Sequence, residues 1–435
     1  MSTDNNNNTE NINNGAEISA NLAEVPTTST QQAPKRAISP SNANSDSQSK
    51  KVRSKAPSKS TEVGEYIIDG PLRRVKPYDY TYSTYAKGRW LNRGVLEVFQ
   101  SEFLDQSSEY YASCIESGKI TVNDKVVPAD FKLKNGNVVK HKIHRHEPPV
   151  KSEELDIVML TDDLVVVDKP CSIPVHPSGR YHFNTLKHIL EQDHNINQFY
   201  AINRLDRLTS GIVLIARSSK HAHKMEKLMK SRQIQKFYLT QVRGKFHASI
   251  KCSEPIKTVN YKLGLNEVLP EGKESETHFK LINYNENEDL SLVLCKPLTG
   301  RTHQIRVHLQ HLGFPIINDP LYNSTYKAEL EVKKQTLPAT IGTCEVCKWD
   351  ILRDPEDYEL DLNLHAFEYR VDGQVYRSKK LPKWVGGLVS VDDVIEIKFD
   401  SDNEDAEQNG DNAKETAAVE GKDDSKVDNN EIKEE

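Results

Sequence analysis

Large apolar side chains are nearly absent before residue 62 and sparse after Phe399, and between those points they recur with two different spacings. A helical spacing in LNRGVLEVFQSEF, residues 91–103, and another around SEYYASCIESG, residues 108–118, predict two short helices. Alternation then takes over in KITVNDKVV and NGNVVKHKIHRH, where Asn-Asp and Asn-Gly supply the turns of a small hairpin-rich sheet. Farther on, LDIVMLTDDLVVVDKP reads as two strands around an acidic turn. More strand pairs follow, with helices predicted over residues 183–192, 219–230 and 302–311. Strands joined by tight turns pair antiparallel, so the predicted fold class is α+β with a mixed, mainly antiparallel sheet rather than a doubly wound one.

The Pro-rich, charged stretch EPPVKSEE, beginning at Glu147, reads as a hinge. The expected organisation is a disordered arm over 1–62, a small α+β module over 89–146, a larger α+β domain over 150–399 and a disordered acidic tail over 400–435. Neither terminal segment carries enough apolar surface to offset the entropy of ordering it. The tail holds 14 acidic residues and 4 lysines, so a whole-chain charge of −6 leaves residues 1–399 at +4. That mildly basic body permits a polyanionic partner without requiring one. Six cysteines scattered along the chain, with no secretory signal, indicate a reduced compartment rather than a disulfide framework. Acidic residues among the first twenty-four argue against a standard transit peptide. KKVRSK reads either as a nuclear signal or as a solvated basic linker. The cytosol, with the nucleus also open, is the expected compartment and the mitochondrion the alternative. No apolar run reaches the roughly 20 residues of a membrane helix.

The chemistry concentrates in AINRLDRLTSG, residues 201–211, where Asp206 sits between Arg204 and Arg207 just ahead of the apolar run IVLIA. In isolation such an aspartate is more often part of a structural ion pair than a reagent. Four other segments give it company. VVVDKPCSIPVHPSG carries Lys169 and His176, QKFYLTQVRG carries Tyr238, LCKPLTGRTHQIRVHLQHLGFPIINDPLY carries Arg301, His303, Arg306 and His308, and LNLHAFEY carries His365. In this order the five resemble the RluA-type pseudouridine synthase family, and within it the fungal tRNA pseudouridine-32 synthases. The resemblance covers residues 155–369. The family pattern has histidine before Arg-Leu-Asp, where this chain has Asn203. The segment in front, ending in a run that includes Lys142, His144, Arg145 and His146, resembles an S4 RNA-binding module.

The resemblance implies a uridine isomerase that needs no cofactor. Asp206 is implied as the carboxylate that starts glycosidic cleavage, by attack on C1′ or C6 or by assisting a glycal route. Arg306 is implied as its guanidinium partner, ahead of Arg301, and Tyr238 as the ring stacked on uracil. Arg204 is implied in bracing the RNA when the target uridine flips out. Lys169, His176, Arg301, Lys142 and Arg145 are the expected RNA contacts. The implied partner is tRNA, at position 32 of the anticodon loop, and a monomer is expected. Three rivals stand beside this reading. The chain could be an RNA-binding protein without activity. It could be a glycoside hydrolase, although no second carboxylate stands out near Asp206. CEVC, residues 344–347, is half of a zinc site with His365 as a candidate third ligand; with no fourth in view, no metal is expected.

Overall fold

The structure, a computed structural model, describes residues 64–103, 106–261, 263–387, 389–397 and 399. The arm and tail expected to be disordered lie outside the described residues. The described residues all fall within one compact unit.

The alternating segments assemble into a ten-stranded mixed sheet. Its main path runs Ser249–Cys252, Thr277–Asn285, Leu290–Pro297, Gln235–Arg243, Leu364–Val371, Ser210–Ala216, Leu164–Lys169 and Asp156–Leu160. Neighbours pair antiparallel throughout, except that Ser210–Ala216 runs parallel to Leu364–Val371. The α+β, mainly antiparallel expectation therefore holds.

Period-two alternation distributes the side chains over both faces. On one face Val242, Val293 and Cys295 meet Ile305 and Leu309 of helix Gln304–His311. The intervening residues Phe237, Leu239 and Leu294 join Phe367, Val394 and Phe399 in a separate cluster. Toward the far edge of the sheet, Val165, Val167, Ile212 and Leu214 share a core with Leu186, Ile189 and Leu190 of helix Leu186–Asp193 and with Met225 of helix Ser219–Lys230. Ser218 caps the latter helix by accepting from the His221 amide, satisfying one of its free N–H groups.

The module ahead of the sheet has its own core. Trp90, Val98, Phe99, Tyr111, Ile115, Ile120 and Leu133 are buried together between helices Val95–Glu102 and Ser108–Glu116 and the strands beside them. Its sheet contains a strand the hydrophobic pattern did not reveal. Tyr78–Tyr85 pairs along its full length with Val138–Arg145, which in turn pairs with Ile120–Val122. The stretch read as a hinge is also fixed in place. The buried Glu147 carboxylate accepts from the amides of His182, Phe183 and Asn184 and from the Tyr78 hydroxyl, and Val150–Lys151 pairs with Leu72–Val75.

The contact between Ser210–Ala216 and Leu364–Val371 positions the site, and a glycine makes it possible. Gly211 has φ +110° and lies opposite Ala366; a Cβ there would sit 2.3 Å from the Ala366 carbonyl oxygen. Gly211→Ala is expected to lower stability on the order of 3 kcal/mol, since it adds both backbone strain and overlap. Chemical denaturation checks this, and a change below about 1 kcal/mol would mean the two strands can separate freely.

Candidate active site

Asp206 lies in the loop between strand Tyr200–Ala201 and the buried strand Ser210–Ala216. Asn203 sets the approach of that loop. Its side-chain oxygen accepts from the Leu214 amide, and its side-chain nitrogen donates to the Ile212 carbonyl and the Tyr369 hydroxyl. An asparagine amide supplies donor and acceptor together, so it extends the strand ladder by one side chain. The turn closes with the Thr209 amide donating to the Asp206 carbonyl.

The Asp206 carboxylate is 34% exposed, and its recorded ion pairs involve neither flanking arginine. Arg207 turns toward the Tyr181 ring, and Arg204 is exposed. The partners come from a segment a hundred residues away. Arg306 Nη1 donates to Asp206 Oδ2 at 3.3 Å, and His303 Nε2 lies 3.5 Å from the same oxygen.

Arg306 is itself clamped. Its Nε and Nη2 make a forked pair of bonds, 2.7 and 2.8 Å, to the fully buried Asp319. Asp319 Oδ1 also accepts from the amides of Leu321 and Tyr322, and the guanidinium carbon lies 4.9 Å from the Tyr322 ring centre. Burial alone would lower the guanidinium's pKa. The Asp319 hydrogen bonds and the Asp319 and Asp206 charges outweigh it, so the net shift is upward and Arg306 stays cationic. His303 differs. Burial pushes its imidazole below the ordinary histidine range despite the Asp206 charge, which favours the neutral ring at neutral pH. His303 has φ +56°, caps helix Gln304–His311, and shares a 2.8 Å hydrogen bond with the Tyr322 hydroxyl.

Tyr238 completes the opposite wall from strand Gln235–Arg243. Its hydroxyl lies 2.6 Å from that of Tyr369, which is held by Asn203. Burial keeps the Tyr238 phenol protonated far above its ordinary range. The Thr-Gly turn ahead of the helix is fixed by buried Gln304, whose side-chain oxygen accepts from the Arg301 amide and Thr299 hydroxyl. The result is a cleft of about 140 Å³ lined by Asp206, Tyr238, Arg306, Arg301, Arg204 and His303, among others. A larger groove of about 620 Å³ contains neither Asp206 nor Arg306. The smaller cleft is the candidate active site because it holds the carboxylate and its cation.

Asp206, Tyr238, Arg306, Arg301 and Arg204 thus line one cleft. His303 precedes the helix predicted from residue 302 instead of riding on it, because its positive φ delays the start to Gln304. Lys142 is exposed on the separate module, 3.0 Å from Asp79, and half-buried His176 packs edge-on against Phe199 outside the cleft lining. Two expected RNA contacts need correction. Lys169 is fully buried, with its ammonium donating to the Pro170 carbonyl, and cannot reach a phosphate. Arg145 is buried, stacked over Tyr80 and Tyr82 and bonded to the Tyr82 hydroxyl and the Gly179 carbonyl, so its guanidinium is already engaged. His365 is likewise unavailable as a metal ligand. It is buried between the Ser210 and Ser378 hydroxyls, and burial pushes its pKa down to about 3. Asp319 is the residue sequence reasoning missed. Asn-Asp-Pro reads as an ordinary turn, and nothing local marks its carboxylate as the arginine's clamp.

An RNA pseudouridylate synthase family model matches residues 163–311. The chain is 44% identical over 262 residues to pseudouridylate synthase RPUSD2 of Mus musculus, covering 60% of this chain and 47% of the relative. The mitochondrial tRNA pseudouridine(32) synthase of Saccharomyces cerevisiae is 38% identical over 344 residues, covering 70% of this chain and 73% of the relative. The tRNA pseudouridine(31) synthase of the same yeast is 32% identical over 396 residues, covering 74% and 98% respectively. The chain spans about half the length of RPUSD2.

Burial pushes the Lys169 ammonium down to about 7. Above that pH the folded protein binds fewer protons than the unfolded chain, up to the ordinary lysine range, so this residue's contribution to stability rises with pH across the window. Lys169→Met lacks the titrating group. Its melting temperature relative to wild type is expected to be highest near about pH 6 and to decline toward about pH 9. Thermal melts across that range check this; a difference independent of pH would contradict a buried, depressed lysine.

Proposed function

Because this chain belongs to the RluA-type RNA pseudouridylate synthase family, we propose that it converts uridine to pseudouridine in RNA, with tRNA as substrate and the Asp206 cleft as the reaction site. The reaction breaks the bond between ribose C1′ and uracil N1, turns the freed base, and joins C1′ to C5. A proton leaves C5 and one is taken up at N1, so nothing is oxidised and no cofactor is consumed. Asp206 starts cleavage as an oxygen nucleophile or as a base assisting elimination. The observation that carries this reading is the carboxylate at 34% exposure, open to substrate on one side and met by clamped Arg306 on the other. That cation is a fixed positive charge beside the reacting oxygen, already in place when substrate excludes water.

Tyr238 provides a fixed aromatic wall for the released uracil, and Arg204, exposed at the cleft, braces the RNA from which the uridine has flipped. Arg301 at the rim and Lys142 on the separate module supply backbone contacts, which contribute salt-dependent affinity. The module over 89–146 serves as an S4-like RNA-binding element. The relatives named for positions 32 and 31 support an anticodon-region target, with position 32 preferred on the greater identity of that relative. The mitochondrial name of the former favours the mitochondrion over the cytosol and nucleus. A monomer remains the proposed state.

Asp206→Asn is expected to reduce tritium release from tRNA carrying C5-labelled uridine by about 10⁴-fold, the scale of losing a group that reacts directly. Retained tRNA binding in the same preparation separates this from misfolding. Arg306→Ala is expected to lose about 10²–10³-fold, typical of a deleted electrostatic partner. Turnover by Asp206→Asn near the wild-type rate would overturn the assignment, and a wild-type protein that binds tRNA but releases no tritium would favour the inactive RNA-binding reading.

A further inference from the structure

The Cys-x-x-Cys at 344–347 lies in the connection of a two-stranded hairpin, Thr340–Thr343 with Asp350–Leu352. That hairpin has little apolar packing of its own: Ile341, Val346 and Leu352 are exposed. A two-stranded hairpin is marginal without further support. This one is nonetheless held against the separate module. Trp349 packs on Tyr110 of helix Ser108–Glu116 at 5.7 Å between ring centres. At the same junction, the end of strand Val138–Arg145 delivers His144 and, just past it, His146.

Ligand atoms of His144, His146 and Cys344 all lie within 4.8 Å of one another, and Cys347 Sγ lies 3.3 Å from His146 Nε2. We propose that His144, His146, Cys344 and Cys347 form a structural Cys₂His₂ zinc site that joins the hairpin to the RNA-binding module.

The geometry, the fold and the chemistry of the donors agree on this. With zinc–sulfur and zinc–nitrogen bonds of about 2.3 and 2.0–2.1 Å, the edges of a tetrahedral site are about 3.3–3.8 Å, the range in which the Cys347–His146 pair already stands. Two thiolates and two imidazoles select zinc among common divalent ions. His144 Nδ1 lies 3.2 Å from an Asp79 carboxylate oxygen, an arrangement that holds the proton on Nδ1 and turns the Nε2 lone pair outward. The amides of Val346 and Cys347 point at the Cys344 sulfur, and Lys348, with φ +60°, reverses the chain and donates its amide to the Cys344 carbonyl. The result is a compact loop offering both sulfurs on one side. Cys344 is only 9% exposed, so the metal would be closed off from substrate, as structural sites are. In a reduced compartment, Cys-x-x-Cys beside two histidines suits metal binding better than a disulfide.

The test is elemental analysis of the full-length protein purified without chelator. About one zinc per chain is expected, and Cys347→Ser and His146→Ala should each retain less than a fifth of the wild-type content. Because either variant could fold poorly, wild-type protein stripped of zinc and reloaded with cobalt gives an independent reading. Intense visible bands of tetrahedral cobalt, with a near-ultraviolet thiolate charge-transfer band, are expected. A wild type that holds no zinc and takes up none when supplied would overturn the proposal. So would a Cys344–Cys347 disulfide in the purified protein, full metal content in both variants, or octahedral cobalt without thiolate absorption. Catalytic activity enters none of these readings, so the site stands or falls apart from the assignment of Asp206.

Discussion

The site depends on one clamped cation. Arg306 is buried, and a buried guanidinium is costly unless its donors are matched. Asp319 matches two of them in a fork while also binding the backbone at Leu321 and Tyr322, so the arginine is tied to its own chain segment before it meets Asp206. One terminal nitrogen remains directed at the Asp206 carboxylate. The cation therefore need not reorganise when substrate excludes water, and preorganisation of this kind is where electrostatic catalysis gains most.

The sheet delivers that carboxylate to the cation. Ser210–Ala216 lies between the antiparallel strand Leu164–Lys169 and the parallel strand Leu364–Val371, and the close approach at Gly211 and Ala366 sets where the preceding loop emerges. Asn203 continues the same ordering into the loop and, through Tyr369, into the hydroxyl of Tyr238. Asn203, just ahead of Arg-Leu-Asp, thus organises the cleft from beneath. Lys169 and His365 stand close behind this floor, and burial lowers the pKa of both, whereas the clamped Arg306 keeps its full charge beside Asp206.

Much of this was legible in the chain because it is local. The continuous apolar runs in SGIVLIA and LVVVDK, the periodic stretches over 95–102 and 219–230, and the Arg-Leu-Asp loop before a buried strand all announce themselves within a dozen residues. The remainder involves pairs far apart in sequence. The parallel register of Ser210 with His365 spans more than 150 residues, and His365 looked like a free ligand only because the two hydroxyls that hold it were out of view. Lys169 and Arg145 looked like RNA contacts because composition reports charge and cannot report burial. His-x-His and Cys-x-x-Cys meet about 200 residues apart, so neither half of the proposed metal site was complete when read alone.

Asp319 is expected to act through Arg306 on the reactivity of Asp206 rather than on RNA affinity. Single-turnover tritium release by Asp319→Asn, measured beside its tRNA dissociation constant and its fold by circular dichroism, tests this most directly. A rate at least about 10-fold below wild type with binding unchanged is expected, the scale of weakening a charged hydrogen bond to the arginine. A folded variant that isomerises uridine at the wild-type rate would contradict it.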